Sequence, residues 1–313
     1  MMTEYSKIKS IIGIIFIISV MLFRVSAQVL MVEVENDFFA GTDRDYTHGT
    51  KVSYKIYSPF SISPEYEYKQ FSLFQFIYTP ENIGAEEPQI NDRPWSGKLG
   101  IEYSRTVGNN KYFISSGWQA GVIGPYAFAE EAQRTAHGIV GTVEPLGWDN
   151  QISHRFFLSN TGQVGFRYVD KSFFDLSHSF NYLLGTSMGN IGTTIIMRTG
   201  WNVPNEFLKS GMEPVTRSFD VDEFNLDIQE SILGVESLFV FSGIEFRYVP
   251  YNELITDSEN EITLNNYVTD YFVGLGLTYK NIDLLYQFTW RGREFEEDEA
   301  FHKFGKIALS YRF

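Results

Sequence analysis

The chain ends in a segment whose side chains alternate between apolar and polar. The apolar positions are Ile307, Leu309, Tyr311 and Phe313, and the polar positions between them are Lys306, Ser310 and Arg312. A period of two is typical of a strand with one face in hydrocarbon and the other in a wet lumen. A last strand that finishes on an aromatic residue is typical of bacterial outer-membrane barrels, so this segment predicts compartment and fold together.

The same alternation recurs along the chain and predicts twelve strands. They lie near residues 28–36, 46–58, 68–78, 97–106, 111–123, 151–169, 172–187, 190–202, 236–250, 265–280, 282–293 and 303–313. An even number is expected for a single-chain bacterial barrel. The sequence therefore predicts an all-β fold, a transmembrane antiparallel β-barrel of about 12 strands that occupies residues 28–313 as one domain.

An even strand count also predicts an orientation. Both termini then lie on the periplasmic side, and the connections after odd-numbered strands face outward. Short turns fall on the periplasmic side, at 108–110, 170–171 and 280–281, and long polar connections fall on the extracellular side, at 79–96, 124–150, 251–264 and 294–302. This asymmetry is the expected one. A tight outer turn at 187–190 and a long acidic periplasmic connection at 203–235 do not fit it, which leaves a miscount open.

Residues 1–27 have the features of a secretory signal peptide. Lys7 and Lys9 precede an apolar run at 11–23, and residues 25–27 fit a small-x-small cleavage site. The alternative is a single membrane anchor, but a spanning helix needs about 20 apolar residues. We expect the mature chain to begin at Gln28.

Composition excludes some classes of protein. The formal net charge is −14, and residues 1–27 contribute positive charge, so the mature chain is more acidic still. This argues against a nucleic-acid partner, which calls for a basic patch. The chain has no cysteine, which excludes thiol nucleophiles and thiolate metal sites. Aromatic residues make up 17% of the chain, and the outer wall and interfacial girdles of a barrel accommodate them.

A first polar cluster joins strands one and two at the extracellular end. It consists of Glu35-Asn36-Asp37, followed by Asp43, Asp45, Tyr46 and Thr47. Carboxylates and amides packed this closely can supply oxygen ligands for a hard cation such as Ca²⁺. An Asx-rich outer hairpin with solvated charges explains the same residues without an ion.

A second cluster lies in the connection 124–150, where residues 127–140 predict a helix. Gln133 and His137 are four residues apart and share one face of it. Small residues on the helix allow close packing, namely Ala129, Ala132 and Ala136. A helix laid on the barrel rim with His137 turned toward the wall would hold a general base, since neutral imidazole accepts a proton near pH 7. A surface histidine on a loop helix is the alternative.

The third cluster is Gly147-Trp148-Asp149-Asn150-Gln151, where strand six is expected to re-enter the barrel. Trp148 is a candidate for an interfacial anchor, and the three residues after it are candidates for capping or orienting a neighbouring group. Elsewhere we expect His154 and His178 to be structural residues of strands six and seven, and His302 to be solvated beside the acidic run 294–299. The sequence has no Gly-x-Ser-x-Gly elbow.

Three ordered blocks resemble the lipid A 3′-O-deacylase family of outer-membrane enzymes. They are Glu35-Asn36-Asp37 with Asp43-x-Asp45-Tyr46-Thr47-x-Gly49, Gly121-Val122-Ile123-Gly124-Pro125 with Gln133-x-x-x-His137, and Gly147-Trp148-Asp149-Asn150-Gln151-Ile152. The resemblance covers residues 33 to about 155, and the rest is similar only in strand rhythm. The chain departs from the family at Ser153-His154, where members can have an acidic residue, and His48 occupies a variable position.

The resemblance implies Ca²⁺-dependent ester hydrolysis of lipid A, the lipid part of lipopolysaccharide, at the extracellular side of the outer membrane. By position, His137 would be the base that deprotonates a water, and Asn36 and Asp37 would bind or position the calcium. Thr47, near the calcium, would help to stabilise the oxyanion, and Gln133 would orient His137 or the substrate. The weaker candidates for supporting these groups are Tyr46, Asp149 and Gln151.

Two other functions stay open at this point. An outer-membrane phospholipase has the same architecture and would release fatty acid from glycerophospholipid. A passive pore or structural barrel would have a lumen lined or plugged by Gln287, Arg291 and Lys306. The oligomeric state is also open, because a lipid-facing belt and a dimer contact have the same sequence pattern.

Overall fold

The structure is a computed structural model that describes residues 28–37, 45–58, 66–109, 111–173, 176–203, 237–256, 262–298 and 301–313. The predicted signal peptide at 1–27, Asp43 of the first polar cluster and nearly all of the connection 203–235 lie outside these residues. In the part of the chain that is described, no helix is long and apolar enough to cross a membrane.

Twelve antiparallel strands close into one barrel, which confirms the predicted fold class. Each strand pairs with its neighbours in sequence, and β1 pairs with β12 to close the sheet. The strands are β1 (Gln28–Asn36), β2 (Asp45–Ser58), β3 (Tyr66–Thr79), β4 (Ser96–Gly108), β5 (Tyr112–Ile123), β6 (Arg155–Phe173), β7 (Leu176–Gly189), β8 (Gly192–Val203), β9 (Ser237–Asn252), β10 (Tyr267–Tyr279), β11 (Ile282–Arg291) and β12 (His302–Arg312). Because β8 and β9 pair directly, the long connection between them does not change the even count.

Among the described residues, two helices lie in the connections at the barrel end opposite Gln28 and Phe313. The first, α1 (Ala129–Val140), connects β5 to β6, and the second, α2 (Glu253–Thr256), follows β9. Single 3₁₀ turns at Pro125–Ala127 and Gly147–Asn150 flank α1. The predicted helix at 127–140 is confirmed, with its first two residues outside the α-helix.

The sequence placed two boundaries wrongly. Strand β6 begins at Arg155 and not at 151, because the Ile152 amide donates to the Trp95 carbonyl at 3.0 Å and keeps residues 151–154 in the loop. Strands β6 and β7 also continue past the predicted turn at 170–171, with a register shift between Asp170 and Phe173. A shift of this kind lets pairing continue where a simple alternation ends.

The alternation along each strand separates an outer face from a lumen face, as predicted. On β12, Leu309 and Tyr311 are 49% and 44% exposed on the outside, whereas Lys306 and Ser310 are buried on the inside. On β11, Gln287 and Arg291 are likewise buried. The outer belt is therefore apolar on this part of the barrel, which is the arrangement that hydrocarbon contact requires.

Charged pairs and apolar side chains fill the lumen. Arg198 pairs with Glu245 at 2.6 Å, and Lys51 pairs with Glu102 at 3.3 Å. Toward the end that carries α1, a buried cluster packs across the lumen, comprising Tyr46, Phe74, Phe76, Tyr78, Ile123, Ile152, Phe157, Ile191, Leu254 and Phe304. In the described part of the barrel, side chains therefore occupy the lumen at this end, which favours a filled barrel over a passive pore.

The histidines outside α1 differ from the sequence-based expectation. His302 is 2% exposed, not solvated, and its Nε2 lies 3.2 Å from the Tyr46 carbonyl, to which it donates. Its ring stacks on Phe304 inside the lumen. His154 precedes β6 and is exposed, with its ring 4.6 Å from Tyr126. The side chain of His178 lies outside the described part of the chain.

Candidate active site

Polar side chains occupy the outer face of β1 and β2 at the barrel end that carries α1. The even-numbered residues of β1 face outward, and Asn36 is the last of them. Its partner across the ladder is His48, and Thr50 is the next outward position on β2. An outer wall that meets lipid is expected to be apolar, so these three residues mark a region with another purpose.

The three side chains form a chain of hydrogen bonds. Asn36 Nδ2 lies 3.2 Å from His48 Nδ1, and His48 Nε2 lies 2.7 Å from Thr50 Oγ1. An amide NH₂ only donates, so Nδ1 accepts and Nε2 carries the ring proton. This bond fixes the Asn36 amide with Nδ2 toward His48, and Oδ1 is the atom that faces the other way.

Thr47 lies beside this group because β2 bulges there. The register against β3 shifts between Tyr46 and His48, which makes Thr47 the extra residue. Its hydroxyl is buried and lies 2.6 Å from the hydroxyl of Thr79. The ring of Tyr46, in contrast, packs 5.2 Å from Phe304 in the lumen. Tyr46 therefore lies on the opposite side of the wall from Asn36.

Asp37 directly follows Asn36 and is 1% exposed. The carboxylate is therefore withdrawn from water next to the outward amide. Residues 38–44, which follow it, lie outside the described part of the chain, so the polar cluster is described only from its two ends.

Helix α1 lies against the outer face of β3 and β4. A Cβ at Gly97 of β4 would come within 2.5 Å of the Ala129 Cβ, so only glycine permits this approach. Gln75 Nε2 of β3 donates to the Ala127 carbonyl at 2.6 Å and holds the start of the helix. Beneath the helix, buried side chains form one cluster, namely Ile77, Ile83, Trp95, Ala129 and Trp148, with Ala132 packed against it. Ala136, expected to pack closely, is exposed instead.

Gln133 is fixed on the buried face of α1 by a tryptophan. Trp148 Nε1 donates to Gln133 Oε1 at 2.8 Å, and both side chains are buried. Because the indole N–H can only donate, its partner on Gln133 is the amide oxygen Oε1. The other atom of the amide group, which points away from Trp148, is therefore the nitrogen Nε2. Within the described residues, this buried Nε2 has no hydrogen-bond partner. It is a donor available to an incoming group.

His137 lies one turn further along α1 and is half-buried. Its Nδ1 lies 2.6 Å from the carbonyl of Val143. A carbonyl can only accept, so Nδ1 carries the proton, and the basic nitrogen of the neutral ring is Nε2. Gly141, with φ +77°, ends the helix and donates its amide to the His137 carbonyl at 2.7 Å. This turn returns the chain so that Val143 reaches the imidazole.

The third sequence block has a supporting role in the structure. Trp148 is fully buried against Trp95 with ring centroids 4.9 Å apart, so the expected interfacial anchor is wrong. A Cβ at Gly147 would lie 2.4 Å from Trp95 Nε1, which explains the glycine. Asp149 is exposed, and Gln151 donates to the Trp148 carbonyl at 3.1 Å. This block therefore holds the helix through Trp148 and Gln133.

The outer polar set consists of Asn36, His48, Thr50, Gln75, Thr47 and Thr79. Gln75 of this set holds the start of the segment that leads into α1, and α1 carries Gln133 and His137. Sequence reasoning assigned no role to His48, Gln75 or Thr79. Parity along β2 and β3 was the available signal, because it places His48, Thr50 and Gln75 on the face that otherwise carries apolar residues. Tyr46 and Asp149 do not join the set.

The residues around Asn36 offer oxygen atoms that could hold a metal ion. Among the described residues, no group of three or more His, Cys, Asp or Glu side chains surrounds a possible metal position. Asn36 and Thr47 of the outer polar set offer amide and hydroxyl oxygens, and Asp37, which follows Asn36 in the chain, adds a buried carboxylate. Hard oxygen donors of this kind fit Ca²⁺ better than a transition metal.

Comparison with known proteins identifies similar chains. A family model described as outer membrane protein LpxR matches residues 12–313. The solved structure of LpxR from Salmonella typhimurium superposes with a TM-score of 0.74 at 20% sequence identity, and the match covers 91% of this chain and 100% of that chain. The β domain of the Bordetella autotransporter BrkA gives a TM-score of 0.45 at 8% identity, covering 92% of this chain and 98% of that one. No curated protein sequence gives a significant match.

Proposed function

The chain belongs to the LpxR family of outer-membrane lipid A deacylases, and from this premise we propose that it hydrolyses the ester-linked acyl chain at the 3′-O position of lipid A. The observation that carries the proposal is the pairing of a polar outer wall with an overlying helix that holds an oriented histidine. Lipid reaches the outside of a barrel directly, so a site on the outer wall suits a substrate that stays in the membrane.

His137 is the general base of the proposed reaction. Its Nδ1 is bound to the Val143 carbonyl, so Nε2 takes a proton from a water molecule, whose oxygen attacks the ester carbonyl carbon. The imidazolium then returns the proton to the departing sugar oxygen as the C–O bond breaks. The products are a fatty acid and a lipid A hydroxyl. A positioned base of this kind contributes about 10²–10⁴ to the rate.

Gln133 is the proposed positioning residue beside the base. Its buried Nε2 has no hydrogen-bond partner in the described part of the protein, and an unpaired buried donor is costly. A substrate oxygen that accepts from Nε2 removes this cost and orients the ester one helical turn from His137. Trp148 keeps the amide oxygen engaged, so Nε2 is always the end presented.

Asn36 and Asp37 are the proposed calcium-binding residues, with Thr47 beside them. The bond from Nδ2 to His48 leaves Oδ1 of Asn36 as its ligand atom. When bound, Ca²⁺ supplies positive charge that stabilises the negative charge developing on the ester oxygen. His48 and Thr50 act on this group indirectly, because they hold the Asn36 amide in one orientation.

We assign this end of the barrel to the extracellular side. Gln28 and Phe313 lie at the other end, and the connections that carry α1 and α2 lie at this one. Barrels of this kind have short periplasmic turns and longer extracellular loops. The proposed site therefore faces the outer leaflet, which contains the lipopolysaccharide.

A three-way assay tests the function. The purified protein is added to vesicles that contain both lipid A and glycerophospholipid, with calcium or with chelator, and the lipids are analysed by mass spectrometry. We expect a lighter lipid A and free fatty acid only with calcium. Fatty acid released from glycerophospholipid alone would identify a phospholipase instead. Ion conductance in planar bilayers without any lipid product would identify a pore, against the filled lumen.

A further inference from the structure

A groove on the outer wall lies next to the outer polar set. It has a volume of about 760 Å³ and is formed by the outward faces of β1 to β5. Thr50 and Gln75 pair across the ladder, and the groove begins at the next outward positions on the same strands, Val52 and Leu73. Two residues along a strand span about 7 Å, so the groove opens directly beside the polar residues.

Two rows of paired residues line the groove. The row nearer the polar set runs from Val52 through Leu73 and Ile101 to Ala120. All four side chains are apolar, and Ala120 adds only a methyl group where its neighbours on β5 are large. This small side chain leaves space on a wall that large residues would otherwise fill.

The second row is aromatic and lies further from the polar set. It runs from Tyr54 through Phe71 and Tyr103 to Trp118. The rings of Phe71 and Tyr103 are 5.1 Å apart, and Trp118 is 54% exposed. Tyr54 is four residues from Thr50, or about 13 Å along the strand. Because strands tilt by about 35–45° in such barrels, this distance corresponds to about 10 Å of depth, or about two thirds of the roughly 15 Å hydrocarbon of one leaflet.

We propose that this groove binds the acyl chain whose ester bond is cleaved, and that its shape selects the length of that chain. The inference rests on the proposed function and adds the part of the substrate that the wall recognises. A lipid with its ester at the outer polar set has its sugar above and its acyl chain along the two apolar rows. The order of polar and apolar rows on the wall matches the order of groups in the substrate.

Selection in this groove is steric. The chain moves from bilayer hydrocarbon to a hydrocarbon-like wall, so it gains little from the hydrophobic effect, as for helices packing in lipid. What differs between chain lengths is packing against the groove, and overfilling a packed apolar site is unfavourable. Leu30, which pairs with Tyr54, and Ile56 line the end of the groove that lies furthest from the polar set. A larger side chain at either position therefore shortens the chain that fits.

The test compares variants on an equal mixture of two lipid A species. The species differ by four methylene groups in the 3′ acyl chain, and the ratio of the two released fatty acids is measured for the purified full chain with calcium. We expect Leu30→Phe to shift the ratio at least fivefold toward the shorter chain, and Ile56→Phe to shift it in the same direction. Leu275→Phe makes the same change as Leu30→Phe on the outer face of β10, far from the groove, and should leave the ratio unchanged.

Each outcome decides the proposal. An unchanged ratio in both groove variants, or an equal loss of both products, would overturn the groove while deacylation by the wild-type chain upholds the proposed function. A wild-type chain that releases neither fatty acid would overturn both. If Leu30→Phe does not fold, as judged by the heat-dependent electrophoretic mobility of the barrel, the second variant Ile56→Phe gives the result.

Discussion

Two polar regions lie at the same end of this barrel, one inside the wall and one outside. Inside, Asp270 accepts from Arg247 at 3.0 Å and from Arg291 at 3.2 Å, and Glu294 pairs with Arg247 and Arg93 at 3.3 and 3.4 Å. Outside, the outer polar set and α1 hold mainly neutral groups, including a half-buried imidazole and a buried amide donor. The inner charges neutralise one another, whereas the outer region includes Gln133 Nε2, a buried donor without a hydrogen-bond partner among the described residues.

We expect the inner region to stabilise the fold and the outer region to serve the chemistry. A buried ion pair is strongly destabilised when one partner is removed, because the other charge stays buried. An oriented base or donor acts on a ligand, and its loss affects the fold little. Substitutions inside the wall should therefore change stability and preserve activity, and substitutions outside should do the reverse.

The largest expected effect is on the outside, at His137. His137→Ala removes the proposed base and should lower the deacylation rate by about 10²–10⁴, with no change in the unfolding free energy. The rate is measured by release of fatty acid from lipid A. His154→Ala, an exposed histidine in the same connection, is the control and should keep full activity. A His137→Ala variant as active as this control would contradict the assigned base.

The next effect is inside, at Asp270. Asp270→Leu leaves the buried guanidinium groups of Arg247 and Arg291 without this carboxylate and should lower the unfolding free energy by about 3–5 kcal/mol. Urea unfolding in detergent measures the loss, and the folded variant should deacylate lipid A within about twofold of the wild-type rate. Glu130→Gln breaks an exposed ion pair with Arg134 and should lower the unfolding free energy by less than about 1 kcal/mol. Equal costs for the two variants would contradict the role given to the inner charges.

Glu294 makes the inner region sensitive to acid. Burial raises the pKa of Glu294, but the charges of Arg291, Arg247 and Arg93 outweigh it and lower that pKa from 4.5 to about 2. A depressed pKa stabilises the fold above about pH 4.5, and this contribution is lost as the pH falls toward 2. It amounts to at most about 3 kcal/mol.

The stability difference between the wild type and Glu294→Gln should therefore shrink as the pH falls from 6 to 2.5. Unfolding temperatures at several pH values measure it. Glu296→Gln removes an exposed carboxylate in the same loop and is the control; at pH 6 it should change the unfolding free energy by less than about 1 kcal/mol. A Glu294→Gln difference that does not depend on pH would show that the arginines do not hold this carboxylate charged.

The smallest of these effects concerns calcium on the outside. Asp37→Asn should raise the calcium concentration for half-maximal activity more than tenfold, because a hard cation loses a carboxylate ligand. A calcium titration of deacylation measures this concentration. Asp149→Asn changes an exposed carboxylate of the third block and should leave it unchanged. If Asp149→Asn raised this concentration and Asp37→Asn did not, the calcium site would lie instead at the end of the connection that carries α1.

The sequence predicts the strands and the helix of this protein better than it predicts on which side of the barrel wall each polar side chain lies. Apolar and polar alternation is enough for twelve strands and for α1, because each depends on local periodicity. It does not place Tyr46, since the bulge at Thr47 interrupts the alternation and turns the ring into the lumen. It also fails for His302, whose burial depends on strands far away in sequence.

Trp148 shows a third limit of the sequence. A tryptophan in an outer-membrane barrel is commonly an interfacial anchor, but here its indole is buried to hold Gln133. The partner lies 15 residues away in a helix whose position depends on Gly97 of another strand. Contacts of this kind follow from packing between elements and leave no periodic pattern in the chain.

The most direct test of the account uses lipid A from Gram-negative cells that carry the wild-type gene, the His137→Ala gene or an empty vector. Mass spectrometry of the extracted lipid A measures its acyl chains and the position that each one occupies. The account predicts that only the wild-type chain removes the acyl group at the 3′-O position, with equal amounts of both proteins folded in the outer membrane. Identical lipid A from all three strains, or equal loss of acyl groups with His137→Ala, would contradict it.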